Sequence, residues 1–88
     1  MKKIYKYGPM YIGLETQMPV PALANIIHVA NQKGEIHFWA EVDEQDINCP
    51  TRIFKVVGTG QSYSDEYVPL GTVQDSLGFV WHLLGKTK

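Results

Sequence analysis

The sequence has a single cysteine, Cys49, in 88 residues, so no disulfide can close within the chain. Neither sign of charge is in excess: 8 Lys and Arg face 9 Asp and Glu, for a formal net charge of -1. With 44% hydrophobic residues beside that balance, a disordered charged tail is excluded. A nucleic-acid partner is not expected either, because no basic excess is present to neutralise phosphates. No run approaches the ~20 apolar residues of a membrane-spanning helix, and no membrane partner is expected. Met1-Lys2-Lys3 is basic, but residues 4–11 are interrupted by Lys6, Gly8 and Pro9, where a signal peptide needs roughly 7–15 apolar residues. The expected location is the cytoplasm, where Cys49 stays reduced and reads as structural rather than nucleophilic. No internal repeat and no sustained helical period with caps is visible.

What is present is an all-β pattern over a single domain, residues 1–88. Val, Ile, Thr, Tyr, Phe and Trp are frequent, and turn residues recur every 8–12 positions or so, which predicts about seven short strands in a compact antiparallel sandwich or a barrel-like sheet. Residues 3–7 read as a first strand ended by Gly8-Pro9. Residues 13–20 read as an edge strand, because Met18-Pro19-Val20-Pro21 cannot donate a full ladder. The strongest unit is a hairpin turning at Lys33-Gly34. Ile36, Phe38, Ala40 and Val42 alternate with Glu35, His37, Trp39 and Glu41, a period of two. Pairing Gln32 with Glu35 sets a register with Val29 opposite Phe38, Ile27 opposite Ala40 and His28 opposite Trp39. Residues 43–50 read as an acidic loop and residues 52–57 as a strand that exits into Gly58-Thr59-Gly60-Gln61. A polar stretch follows at residues 62–66. Residues 67–73 and 79–84 form a second hairpin, and Lys86-Thr87-Lys88 a solvated tail. A domain this small buries only about 60–65% of its unfolded surface, so a homo-oligomer is expected.

Several clusters could carry chemistry. His28, His37 and Trp39 share the outward face of the central hairpin and could form a stacking and hydrogen-bonding platform; packing against another sheet or subunit is the plainer reading. The two histidines could act as an acid–base pair in phosphodiester cleavage, or join a third ligand on zinc, but neither a basic cluster nor metal-ligand spacing supports them. No metal or cofactor is expected. The Gly58–Ser62 stretch could aim backbone N–H groups at an anion, with Arg52 and Lys55 adding charge if their strand lies at an edge; a loop needing a flexible backbone is the competing explanation. Tyr5 and Tyr7 share one strand face and suit an interface, each offering apolar area and a polar tip.

Taken together, Ile4-Tyr5-Lys6-Tyr7-Gly8-Pro9, His37-Phe38-Trp39-Ala40, Phe54-Lys55-Val56-Val57-Gly58-Thr59-Gly60-Gln61, Gly71-Thr72-Val73-Gln74 and Phe79-Val80-Trp81-His82-Leu83 resemble a family of small proteins of unknown function encoded by tailed bacteriophages and prophages. The resemblance spans nearly the whole chain and carries no catalytic motif. It implies a protein acting inside an infected bacterial host by binding. By analogy with other small phage proteins, the function expected is anti-defence sequestration of a nucleotide-derived immune signal of the cyclic ADP-ribose type, without cleavage. In that role His28, Trp39 and Tyr63 are expected to contact base or ribose, and Arg52, Thr59, Gly60 and Gln61 the phosphate. The alternatives are an accessory protein that masks a host protein through the Tyr5/Tyr7 strand or the acidic loop, and a small histidine-dependent phosphodiesterase.

Overall fold

Residues 1–87 are described by the computed structural model, and no helix occurs among them. Their strands are β1 (Lys2–Met10), β2 (Glu15–Pro19), β3 (Asn25–Gln32), β4 (Glu35–Asp43), β5 (Thr51–Gly58), β6 (Val68–Gln74) and β7 (Val80–Thr87). They form two sheets in the orders β1-β4-β3 and β2-β5-β7-β6, with every neighbouring pair antiparallel. The sheets face one another as a sandwich and do not close into a barrel. No helix is long and apolar enough to cross a membrane among the described residues.

Alternation explains why the sheets stack. On β4, Ile36, Phe38, Ala40 and Val42 are buried on the inner face, while Trp39 and Glu41 point to the outer one. Tyr7 stacks on Phe38 with ring centroids 5.0 Å apart, and Phe38 meets Phe54 of the opposite sheet at 4.9 Å. This aromatic row ties β1, β4 and β5 across the interface, and burial of Phe38 and Phe54 contributes about 1.5–3 kcal/mol each. At the other side β3 lies against β6, where a Cβ on Gly71 would come within 2.5 Å of Val29 Cγ2. The absence of a side chain there lets the sheets close.

The Lys33-Gly34 turn takes positive φ at both residues, 54° and 83°, as a two-residue hairpin requires. Gln32 pairs with Glu35, Val29 with Phe38 and His28 with Trp39. The expected partnership of Ile27 with Ala40 does not occur. A bulge at Ile27 brings Ile26 opposite Ala40 and leaves Ile27 exposed, so the extra residue restores the inward face beyond it.

Three further expectations are corrected. Gly8-Pro9 does not end the first strand: it forms an irregularity within β1, after which Met10 pairs with Ile36 and is buried. Gly8 has φ 133°, and a Cβ there would lie 2.7 Å from His37 Cδ2, so only glycine passes the buried imidazole. The strand holding Arg52 and Lys55 is not an edge, because β5 runs between β2 and β7. Nor is Lys86 a solvated tail residue. It pairs with Ile53 in the β5–β7 ladder, and its Nζ lies 3.0 Å from Glu66 Oε2 and 4.8 Å from the Tyr67 ring centroid. Lys88 lies outside the described residues.

β5 is apolar on both faces. Phe54 and Val56 enter the inter-sheet core, whereas Ile53 and Val57 join Tyr67 and Leu84 in a second cluster on the outer face of the four-stranded sheet. The chain between β5 and β6 folds over that face. Tyr67 anchors its end, with its hydroxyl donating to Glu15 Oε1 at 2.8 Å.

Candidate ligand cleft

After β5 the chain must reverse, and Gly58-Thr59-Gly60-Gln61 does so tightly. The Gln61 N–H donates to the Gly58 carbonyl at 3.1 Å, and Gln61 Oε1 accepts from the Gly58 N–H at 2.6 Å. Gly60 takes φ 88°. The turn thus satisfies itself at its two ends, while the N–H groups of Thr59 and Gly60 have no hydrogen bond among the described residues.

The turn overhangs β7 on the outer face. There His82, opposite both Val57 and Thr72 in the ladders, stands between two threonines. Thr59 Oγ1 is 2.7 Å from His82 Nε2, and Thr72 Oγ1 is 3.0 Å from His82 Nδ1. A neutral imidazole donates from one nitrogen and accepts at the other, and a hydroxyl can do either, so this chain of three is fully satisfiable. The imidazole plane is fixed by it.

Above His82 is a cleft of about 240 Å³. Val57, Pro69 and Leu84 supply apolar walls; Thr59, Gln61, Tyr63 and His82 supply the polar edges. Among the described residues, no Lys, Arg, Asp or Glu lines it. The volume falls below the roughly 300–1,000 Å³ of drug-sized sites, so it takes one ring system rather than a whole dinucleotide. A second cleft, of about 420 Å³, is lined by Phe79, Val80 and Trp81 and again by Gly58, Thr59 and Gln61. Its wall is held by Asp75. The carboxylate accepts from the Trp81 indole N–H at 2.9 Å and from the Phe79 and Leu77 N–H groups at 2.9 Å each. These donors, Trp81 foremost, hold the Asp75 carboxyl below its ordinary 3.8.

The ligand-contact residues expected from the sequence separate into three places. Thr59, Gly60, Gln61 and Tyr63 come together at the smaller cleft. His28 and Trp39 do not join them: they lie on the outer face of the other sheet, 5.7 Å apart between ring centroids, with Lys6 Nζ 5.9 Å from the Trp39 ring. Arg52 is six residues before Gly58, roughly 20 Å along an extended strand, and its guanidinium sits 5.3 Å from the Phe54 ring. It is not placed to share a phosphate with the turn. Gln61 is tied to Gly58 through Oε1, which leaves its amide nitrogen and the second lone pair of Oε1 for a ligand. Tyr7 is engaged with Phe38, and burial raises its phenol pKa above 10.0; Tyr5 remains exposed. His37 is buried, with Nδ1 3.3 Å from the Glu35 carbonyl, so it is not available as an acid–base partner to exposed His28. No three His, Cys, Asp or Glu side chains gather to hold a metal among the described residues.

Sequence reasoning missed His82, Asp75 and Trp81 as site residues. A signal for His82 was present: in Val80-Trp81-His82-Leu83-Leu84 the period of two places it opposite in sense to buried Leu83.

A family model described as "Domain of unknown function (DUF7352)" matches residues 1–88. No curated protein and no solved structure matches the chain.

Proposed function

We propose that this chain, which belongs to the DUF7352 family, is a non-catalytic binding protein that takes the base end of a small nucleotide-derived ligand into the cleft over His82. The observation that carries it is the convergence of Thr59, Gly60, Gln61 and Tyr63 on one uncharged, mainly apolar cleft whose floor is an oriented imidazole. An uncharged cleft suits a neutral heterocycle. The phosphate stays at the rim, near the unspent Thr59 and Gly60 N–H groups, instead of meeting Arg52. Sequestration of an immune signal in a phage-infected cell, of the cyclic ADP-ribose type, fits such a site and follows the sequence resemblance.

The Thr59–His82 contact favours one competing reading. A hydroxyl 2.7 Å from an imidazole nitrogen is the pairing an activated nucleophile uses. Here, however, the group behind the imidazole is the neutral hydroxyl of Thr72 and not a carboxylate. Calorimetric titration with AMP, cyclic AMP and cyclic ADP-ribose, followed by mass spectrometry of the recovered ligand, separates the two. Binding with the ligand returned intact, weakened by Tyr63→Ala, supports sequestration. Ligand returned cleaved, with cleavage stopped by Thr59→Val, supports catalysis instead. No binding of any of the three contradicts the nucleotide reading.

A further inference from the structure

We infer that the two clefts flanking the Gly58–Gln61 turn are halves of one site, and that the ligand class is a dinucleotide, with one base over His82 and the other against Phe79 and Trp81. The inference rests on the nucleotide reading above and extends it to a second base. Gly58, Thr59 and Gln61 line both clefts, so the turn is the wall they share at the end of the sheet: Val57, His82 and Leu84 face the smaller cleft from the outer side, Trp81 faces the larger from the core side, and a ligand that joins them passes around the turn. Each cleft carries its own aromatic surface: Tyr63 at the smaller, Phe79 and Trp81 at the larger, their ring centroids 6.5 Å apart.

Phe79 is 60% exposed although it adjoins a strand, which the core does not require. Its setting is nevertheless rigid. Asp75 fixes the Phe79 backbone and the Trp81 indole together, and the Asp75 N–H donates to the Phe79 carbonyl at 2.9 Å. A stacking wall held this way loses little freedom when a base settles on it. Between the clefts, the turn offers the Thr59 and Gly60 N–H groups, with Gly60 in the left-handed conformation common in anion-binding turns. A short phosphate bridge joining two nucleosides fits that order of surfaces: ring, backbone donors, ring.

The test compares AMP, the linear dinucleotide ApA and cyclic di-AMP against wild type, Tyr63→Ala and Phe79→Ala, by calorimetry. The expected result is a dinucleotide bound at least roughly tenfold more tightly than AMP, about the value of one base–aromatic stack. Phe79→Ala is expected to remove that advantage, bringing both dinucleotides down to the affinity of AMP, while Tyr63→Ala weakens binding of all three. Equal affinity for AMP and both dinucleotides, or dinucleotide binding indifferent to Phe79→Ala, overturns the two-base inference while the single-cleft reading stands. Failure of all three ligands to bind overturns both. Circular dichroism of each variant confirms that the sandwich is intact.

Discussion

Thr59 Oγ1 and His82 Nε2, 2.7 Å apart, join the turn after β5 to the face of β7. The contact spans 23 residues of sequence and sets how far the turn stands above the imidazole. Thr59→Val keeps the shape and removes the hydroxyl. Because Thr59 is exposed, the expected loss is at the low end for a hydrogen bond, about 0.5 kcal/mol in urea unfolding. The nucleotide affinity is expected to fall by more than this global loss implies, since the imidazole loses one of its two restraints. Equal effects on stability and on affinity would remove Thr59 from the site.

Asp75 makes the larger cleft sensitive to acid. Its folded-state pKa is lowered, chiefly by the Trp81 N–H and further by the backbone donors. Its stabilising contribution is therefore present above the ordinary value of 3.8 and is lost as pH falls through the depressed folded-state value. Trp81 fluorescence followed from pH 6 to pH 2 should report loosening of the indole in the acid range. Asp75→Asn should remove that titration and lower the unfolding midpoint at neutral pH. An unchanged acid profile in Asp75→Asn would assign the effect to another carboxylate.

Closure of the sheets at Gly71 gives a packing prediction. A Cβ there meets Val29 Cγ2 at 2.5 Å, so Gly71→Ala is expected to destabilise by about 1–3 kcal/mol. Val29→Ala alone opens a void and also destabilises. The double variant should lose less than the sum of the two, because each change relieves the other. Strict additivity in urea unfolding would show that the two positions do not meet.

The other sheet supplies a control. His28 and Trp39 lie on the face remote from the turn, so His28→Ala should leave nucleotide affinity unchanged within twofold or so while His82→Ala reduces it about tenfold, the size expected for one well-placed polar contact. The opposite ranking would return the site to the β3–β4 face.

How much of this was legible in the sequence depends on whether the determinant was local. The β3–β4 hairpin was readable because Lys33-Gly34 and the alternation through β4 both act within a few residues. The bulge at Ile27 was not, since Ile26 and Ile27 are equally apolar and only the opposing sheet selects which one faces inward. Gly8-Pro9 resembled a strand end; β1 resumes past it where Met10 pairs with Ile36 and is buried, and the glycine is needed because a side chain at Gly8 would fill the space of His37, 29 residues away. Ile53-Phe54 and Val56-Val57 did carry a legible sign of a strand covered on both faces, and it argued against an edge position for Arg52. In the candidate site, the turn residues were visible as glycine-rich punctuation. His82 became part of it only through the β5–β7 register, and Asp75 and Trp81 only through a side-chain bond across the hairpin end.

The most direct measurement is amide and imidazole chemical-shift mapping of the isotopically labelled protein titrated with AMP. The account predicts saturable shifts at Thr59, Gly60, Gln61 and Tyr63 and at the His82 ring, with His28 and Trp39 unmoved. Shifts confined to His28, Trp39 and their neighbours, or no saturable shifts at millimolar AMP, would contradict it.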